Sequence, residues 1–248
     1  MYRFFVEEDH INGKEIYIDG SDLNHMKNVL RIKPGEEISV QVPSEDREYR
    51  CSLKTYEDDR AILTLLFIKE ENVELPGRIY LFQGLPKGDK MELIIQKAVE
   101  LGVYEIIPVS MKRSVVKLDE KKKAARVLRY NAISEAAAKQ AKRGIIPKIT
   151  NVMSFGEALE YSKDIDVRLL PYELHDSSTF EDTRSILGSI KKGESIGIFI
   201  GPEGGFDDEE ITLAREAGYR EITLGKRILR TETAGMTVLS WLVYLLEG

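Results

Sequence analysis

The apolar positions of this chain change their period once. Over residues 3–6, 15–18, 37–42, 49–53 and 61–66 apolar side chains come in short runs with turn residues between them, and the pattern predicts five short strands. Ser21-Asp22 is placed to cap a short helix that carries His25 and ends near Arg31, and Pro34-Gly35 reads as a turn. Such a pattern suits a small closed β-barrel. A polar stretch closing on Pro76-Gly77 marks a boundary, so residues 1–72 and 73–248 are expected to form separate domains. Beyond it strands alternate with helices: strands over 78–82, 105–109, 167–173, 195–200 and 221–225, helices over 91–102, 118–143, 207–218 and 233–247. Met91, Ile94, Ile95, Ala98 and Leu101 recur at helical spacing, and Gly102 is placed to stop that helix. The alternation predicts an α/β domain, a parallel sheet with helices on both faces. The last helix carries Met236, Leu239, Leu242, Val243 and Leu246 with Trp241 and Tyr244 beside them. Apolar all round, it is expected to be buried against a second subunit as well as the sheet.

Composition adds exclusions. The 248 residues are 42% hydrophobic and 31% charged, as in soluble globular proteins. No apolar run is long enough to span a membrane and no basic-then-apolar leader starts at Met1, so no membrane partner and a cytoplasmic location are expected. A single cysteine, Cys51, cannot form an internal disulfide and fits a reducing compartment. His10, His25 and His175 are widely separated and no Cys/His cluster exists, so no metal site is expected. The net charge of −6 is unevenly spread: −6 over residues 1–72, +8 over 73–150 and −8 over 151–248. A basic surplus confined to the middle third is the electrostatic footprint expected of phosphate contacts, with a solvated helix face accounting for part of it, notably Lys121-Lys122-Lys123.

The chemistry is expected between Ser195 and Ala234. The strand ending at Ile200 breaks into Gly201-Pro202-Glu203-Gly204-Gly205-Phe206, and three glycines and a proline within five residues make a tight turn that lets a ligand lie close to the backbone. A second strand ends in Leu224-Gly225 and runs into a polar segment before the last helix. Two glycine-rich strand ends side by side form the crevice in which open α/β sheets bind ligands. The spacing is not G-x-G-x-x-G, and Arg227 stands where a P-loop needs Ser or Thr. A tight loop with few cations suits an adenosine or amino-acid ligand; ordinary strand-to-helix turns are the alternative.

Gly201-Pro202-Glu203-Gly204-Gly205-Phe206, together with the run from Leu224 to Ala234, resembles the signature loops of the SPOUT methyltransferases and, within them, of the RsmE family. His25-x-x-x-Val29-Leu30-Arg31, Lys87-Gly-Asp-Lys-Met-Glu92, Lys97-x-x-Glu100-Leu-Gly-Val103 and Arg113-Ser114 extend the resemblance over nearly the whole chain. It implies a PUA-like RNA-binding β-barrel followed by a SPOUT α/β-knot, in which the segment after Leu224 threads a loop to form a trefoil. It also implies a homodimer whose active site is completed across the subunit boundary, S-adenosylmethionine as cofactor, and methylation of N3 of a uridine in 16S ribosomal RNA, free or within the small subunit. Carried onto this sequence, it gives cofactor contacts to Leu170, Pro171, Ile200, Gly201, Pro202, Glu203, Gly204, Gly205, Leu224, Gly225, Ile228, Leu229, Thr233 and Ala234. RNA contacts fall to Arg3, His25, Arg31, Lys87, Lys90, Arg113, Gln140 and Arg143, although Lys139 stands where the family tends to have Glu before Gln140.

Methylating uridine N3 requires an unstacked base and loss of the N3 proton. Arg230 is expected to hold a carbonyl oxygen of the ionising uracil; the alternative is a structural pairing with Glu203 or Glu232. Either glutamate is a candidate base, or instead an acceptor for backbone N–H groups or an arginine. Ile228 and Leu229 are expected to anchor the segment in the core, and Gly204 to sit where a side chain demands positive φ. Three other readings stand beside this one: a SPOUT enzyme acting on another RNA or nucleotide, a non-catalytic RNA-binding protein, and a nucleotide-dependent oxidoreductase.

Overall fold

The computed structural model describes residues 1–43, 47–69, 73–116, 118–172 and 179–248. His175, the expected strand end at Glu173 and residues 70–72 of the expected boundary lie outside them. The chain divides into two compact units, Met1–Glu74 with Ala138–Ile146, and Leu75–Ala137 with Pro147–Gly248.

The first unit contains β1 (Arg3–Phe5), β2 (Ile11–Asn12), β3 (Glu15–Asp19), α1 (Gly20–Asn24), a π-helical turn His25–Leu30, β4 (Glu37–Gln41), β5 (Glu48–Tyr56) and β6 (Arg60–Lys69). Its six strands form a curled sheet in the order β1-β4-β5-β6-β3-β2, antiparallel except for β1 on β4. Alternate residues point inward, so Ile16 and Ile18 from β3, Ile38 and Val40 from β4, and Leu53 and Leu63 share one core with Phe4 and Met26. Cys51 lies in that core, where burial pushes its thiol up to about 12. The short helix is not capped by Ser21 or Asp22. It starts at Gly20, and Asp22 pairs with Lys139 at 3.0 Å instead. The π-helical turn His25–Leu30 that continues it ends where Arg31 turns left-handed (φ 55°).

The second unit contains β7 (Arg78–Gly84), α2 (Lys90–Glu100), β8 (Glu105–Ser110), α3 (Glu120–Gln140), β9 (Lys148–Ile149), β10 (Met153–Ser154), α4 (Phe155–Tyr161), β11 (Val167–Pro171), α5 (Thr179–Gly188), β12 (Ser195–Ile200), α6 (Asp208–Glu216), β13 (Arg220–Ile222) and α7 (Thr231–Glu247). Residues 138–140 of α3 belong to the first unit. The strands run parallel in the order β10-β8-β7-β12-β11-β13, with β9 also on β8. Both sheet faces are apolar, as a helix-covered parallel sheet requires. Phe82, Leu170 and Phe199 pack with Phe155 and Ala158 of α4 and Ile211 and Ala214 of α6, whereas Leu81, Gln83 and Ile200 face Gly235 of α7. Asn131 and Ser134 of α3 are satisfied by the backbone around β9: Asn131 exchanges hydrogen bonds with Ile149, and Ser134 donates to the Pro147 carbonyl.

Candidate active site

β11 lies between β12 and β13 and is parallel to both, so the C-terminal ends Pro171, Ile200 and Ile222 reach the same edge of the sheet. There the two glycine loops and the start of α7 enclose a cavity of about 840 Å³. Gly201 packs where its loop folds back, and a Cβ on it would come within 3.3 Å of the Gly205 carbonyl carbon and the Phe206 ring. Gly205 (φ 69°) and Gly225 (φ 108°) hold backbone conformations that other residues rarely adopt. Gly204 does not: the expectation of positive φ there is corrected, and its constraint is steric, because a Cβ would lie 3.0 Å from Cβ and O of Arg113.

The Arg113 segment is held against this loop by α6. Asp207 caps that helix, and Glu210, almost fully buried, accepts from the Asp207 N–H and the Lys112 N–H, both at 2.9 Å. Arg113 itself lies 3.7 Å from Asp207 and 4.0 Å from Asp208, half-exposed on the cavity wall.

Lys90 stands between the two glutamates, 2.9 Å from Glu203 and 3.4 Å from Glu232. The longer contact is the weaker of the two, since Oε2 of Glu232 is buried without a well-aligned hydrogen bond among the described residues. Partial burial of Glu203 opposes its ionisation, yet hydrogen bonds from Lys90 and from the N–H groups of Glu203 itself and Lys87 hold its carboxyl below the usual glutamate range. The hydrogen bond to Glu203 in turn raises the Lys90 ammonium above its ordinary value. Arg230, at the cap position of α7, is exposed on the cavity wall and has no ion-pair partner among the described residues.

Of the residues expected to hold a cofactor, Pro171, Ile200, Gly201, Pro202, Glu203, Gly204, Gly205, Leu224, Gly225, Ile228, Leu229 and Ala234 line the cavity. Leu170 is fully buried in the core beneath it, Thr233 is exposed on α7, and neither lines it. Ile228 is 83% exposed, so it does not anchor its segment in the core; Leu229, half-buried, faces the cavity. Tyr172, Phe206, Thr223, Arg227 and Thr231 also line it, and only their places beside the two loops hinted at this.

The residues expected at RNA separate into two groups. His25, Arg31, Lys87 and Gln140 are exposed. Lys90 and Arg113 line the cavity among carboxylates. Arg3 and Arg143 are not free surface cations, which corrects their placement. Arg3 is buried against Glu48 at 3.1 Å and donates to the Arg143 carbonyl, while Arg143 is buried in an ion pair with Glu74. Each guanidinium is engaged by a carboxylate inside the first unit.

A parallel sheet with a ligand cavity built on glycine loops at its strand ends, and cations at the rim, is the architecture of a ligand-binding α/β domain, and the comparisons say which. Residues 73–243 match the family model of the RNA methyltransferase domain and residues 18–66 that of the RNA methyltransferase PUA domain. The chain is 36% identical to the ribosomal RNA small subunit methyltransferase E of Bacillus subtilis, covering 100% of this chain and 98% of the relative. A ribosomal RNA small subunit methyltransferase E from Neisseria gonorrhoeae, solved bound to S-adenosyl methionine, is similar at 32% identity and a TM-score of 0.83, over 97% of this chain and 95% of the other. A methyltransferase from Legionella pneumophila, in complex with the bound cofactor SAM, is similar at 29% identity and a TM-score of 0.84, over 97% and 96%. The chain belongs to the family of ribosomal RNA small subunit methyltransferase E, and is an RNA methyltransferase of the SPOUT type.

Proposed function

We propose that the cavity takes S-adenosylmethionine and that the chain methylates N3 of a uridine in 16S ribosomal RNA. One observation carries the reading: two glycine loops border about 840 Å³ beside an arginine, Arg230, that has no ion-pair partner among the described residues. The volume is that of a cofactor-sized cleft. Pro171, Ile200, Leu224, Leu229 and Ala234 supply apolar surface for an adenine ring, and Gly201, Gly205 and Gly225 let backbone groups come close to the rest of the ligand. When bound, the cofactor supplies a methyl group on an electrophilic sulfonium.

The chain's own residues do the rest. A ligand seated between the two loops displaces water from the cavity, which strengthens the charges that remain. As N3 loses its proton, negative charge spreads onto the uracil carbonyls, and Arg230 is positioned to stabilise it. Glu203 and Glu232 share Lys90, which favours a structural role for both over that of general base. RNA contact falls to the exposed set His25, Arg31, Lys87 and Gln140, with Arg113 at the rim. Tyr244, 79% exposed on α7, is in this reading a contact for a second copy of the chain in a homodimer. The trefoil, threaded by the segment after Leu224, belongs to the same reading. So does a cytoplasmic location, where ribosomal RNA is found; among the described residues no helix is long and apolar enough to cross a membrane.

Two measurements test the proposal. Calorimetric titration should show S-adenosylmethionine binding and no NAD binding. Methylated uridines mapped in ribosomal RNA from a deletion strain should lack one N3 mark that reappears when the protein is restored. Marks that are the same in both strains would refute the substrate.

A further inference from the structure

Gln83 stands where the alternation of β7 asks for an aliphatic side chain. Ile79 and Leu81 precede it at the two-residue spacing of one strand face, and both are fully buried, as Gln83 is. Its Nε2 donates to Thr231 Oγ1 at 2.9 Å and to the Gly84 carbonyl at 3.0 Å. Thr231 Oγ1 donates in turn to the Gly201 carbonyl at 2.6 Å. Oε1 of Gln83 is buried and has no hydrogen-bond partner among the described residues. A buried amide with an unmet acceptor is less stable than an aliphatic side chain of similar shape, so packing alone does not explain a glutamine here.

What the amide does is join three segments that meet at the cavity: the end of β7, the Gly201 loop and the first turn of α7. Gly201 and Thr231 both line the cavity, and Gln83 sits behind them. Gly84 brings the same strand end against the same loop, because a Cβ there would lie 2.7 Å from the Pro202 nitrogen.

We infer that Gln83 is a positioning residue: acting through Thr231, it holds the Gly201 carbonyl against the first turn of α7 before any ligand enters. With Nε2–H bound to one lone pair of Oγ1, the hydroxyl proton is directed to the Gly201 carbonyl. Without the amide the hydroxyl is free to rotate, the loop loses that tie, and the cost of ordering it falls on ligand binding. The inference rests on the reading of this cavity as the S-adenosylmethionine site.

The test combines calorimetric titration with S-adenosylmethionine and thermal melting of the full chain. Gln83→Met is expected to melt at or above the wild-type temperature, because the unmet acceptor is gone, yet to bind about five- to tenfold more weakly. Thr231→Val should weaken binding by a similar factor and Thr231→Ser should restore it. The double variant Gln83→Met with Thr231→Val should bind no more weakly than either alone, since the groups act as one chain. Wild-type affinity in Gln83→Met would overturn the inference, as would independent, additive losses. A Gln83→Met protein that melts early but binds normally once folded would also overturn it, leaving only a structural glutamine. If the wild type itself binds no S-adenosylmethionine, the reading of the cavity fails and this inference goes with it.

Discussion

Arg230 occupies the last extended position before α7 (φ −66°, ψ 153°), so its side chain leaves the backbone before the helix can draw it in. The carboxylates that would compete for it, Glu203 and Glu232, face Lys90. Arg230→Ala is therefore expected to cost on the order of a hundredfold or more in methyl transfer, with cofactor affinity and melting temperature near wild type. Raising the pH should recover part of the rate by ionising the uridine in solution; a variant that melts early would show Arg230 to be structural. Glu203 makes a different prediction. Its folded-state value is depressed, so its contribution to stability is present above the ordinary glutamate range and is lost as pH falls through the folded value. Between about pH 5 and pH 3, wild-type melting temperature should drop more steeply than that of Glu203→Gln. Parallel curves would show that Glu203 is not the group that titrates.

At the scale of elements, α6 was legible because an acidic run, Asp207 to Glu210, follows a glycine turn. What spacing did not reveal is that Glu210 also takes the N–H of Lys112 and so ties the β8 end to the loop. Asp207→Ala should cost about 1 kcal/mol in urea unfolding, and Glu210→Ala more, because it leaves two backbone N–H groups unpaired. Equal losses would reduce Glu210 to an ordinary capping-box residue. β9, β10, α4 and α5 leave no clear periodic signal in the sequence. Strands of two residues are too short for period-two alternation to register, although the capping box of α4, Ser154 with Glu157, was present as a local signal. The expected cap at Ser21-Asp22 failed because a distant lysine, Lys139, engages the Asp22 carboxylate.

At the scale of the whole molecule, the basic middle third predicts RNA affinity that falls by about 0.7 to 0.9 log units per tenfold rise in salt for each phosphate contact. Arg113→Ala should lower that slope by about one contact. Arg143→Ala should leave the slope unchanged and instead cost about 3 kcal/mol of stability, because it strands Glu74 beside a buried gap. The reverse pattern would return Arg143 to the RNA surface. Association is tested at α7: Tyr244→Asp is expected to shift a dimer to monomer in sedimentation, and a wild type that sediments as a monomer would refute the use of that face.

The sequence by itself determined what depends on local order. The change of hydrophobic period separated a strand-rich segment from an alternating α/β one, and the glycine-rich loops after Ile200 and Leu224 marked where the cavity would lie. Tertiary structure decided which charges are free. Lys90 lies between two glutamates more than a hundred residues along the chain, Arg3 and Arg143 are buried in the first unit, and Arg230 alone of these is unpaired among the described residues. It also exposed Ile228 and buried Gln83, against the polarity of each. The physical reason is that period and turn chemistry act over a few residues. A salt bridge or buried hydrogen bond instead depends on which groups the folded chain brings within about 3 Å of each other, whatever their separation along the chain.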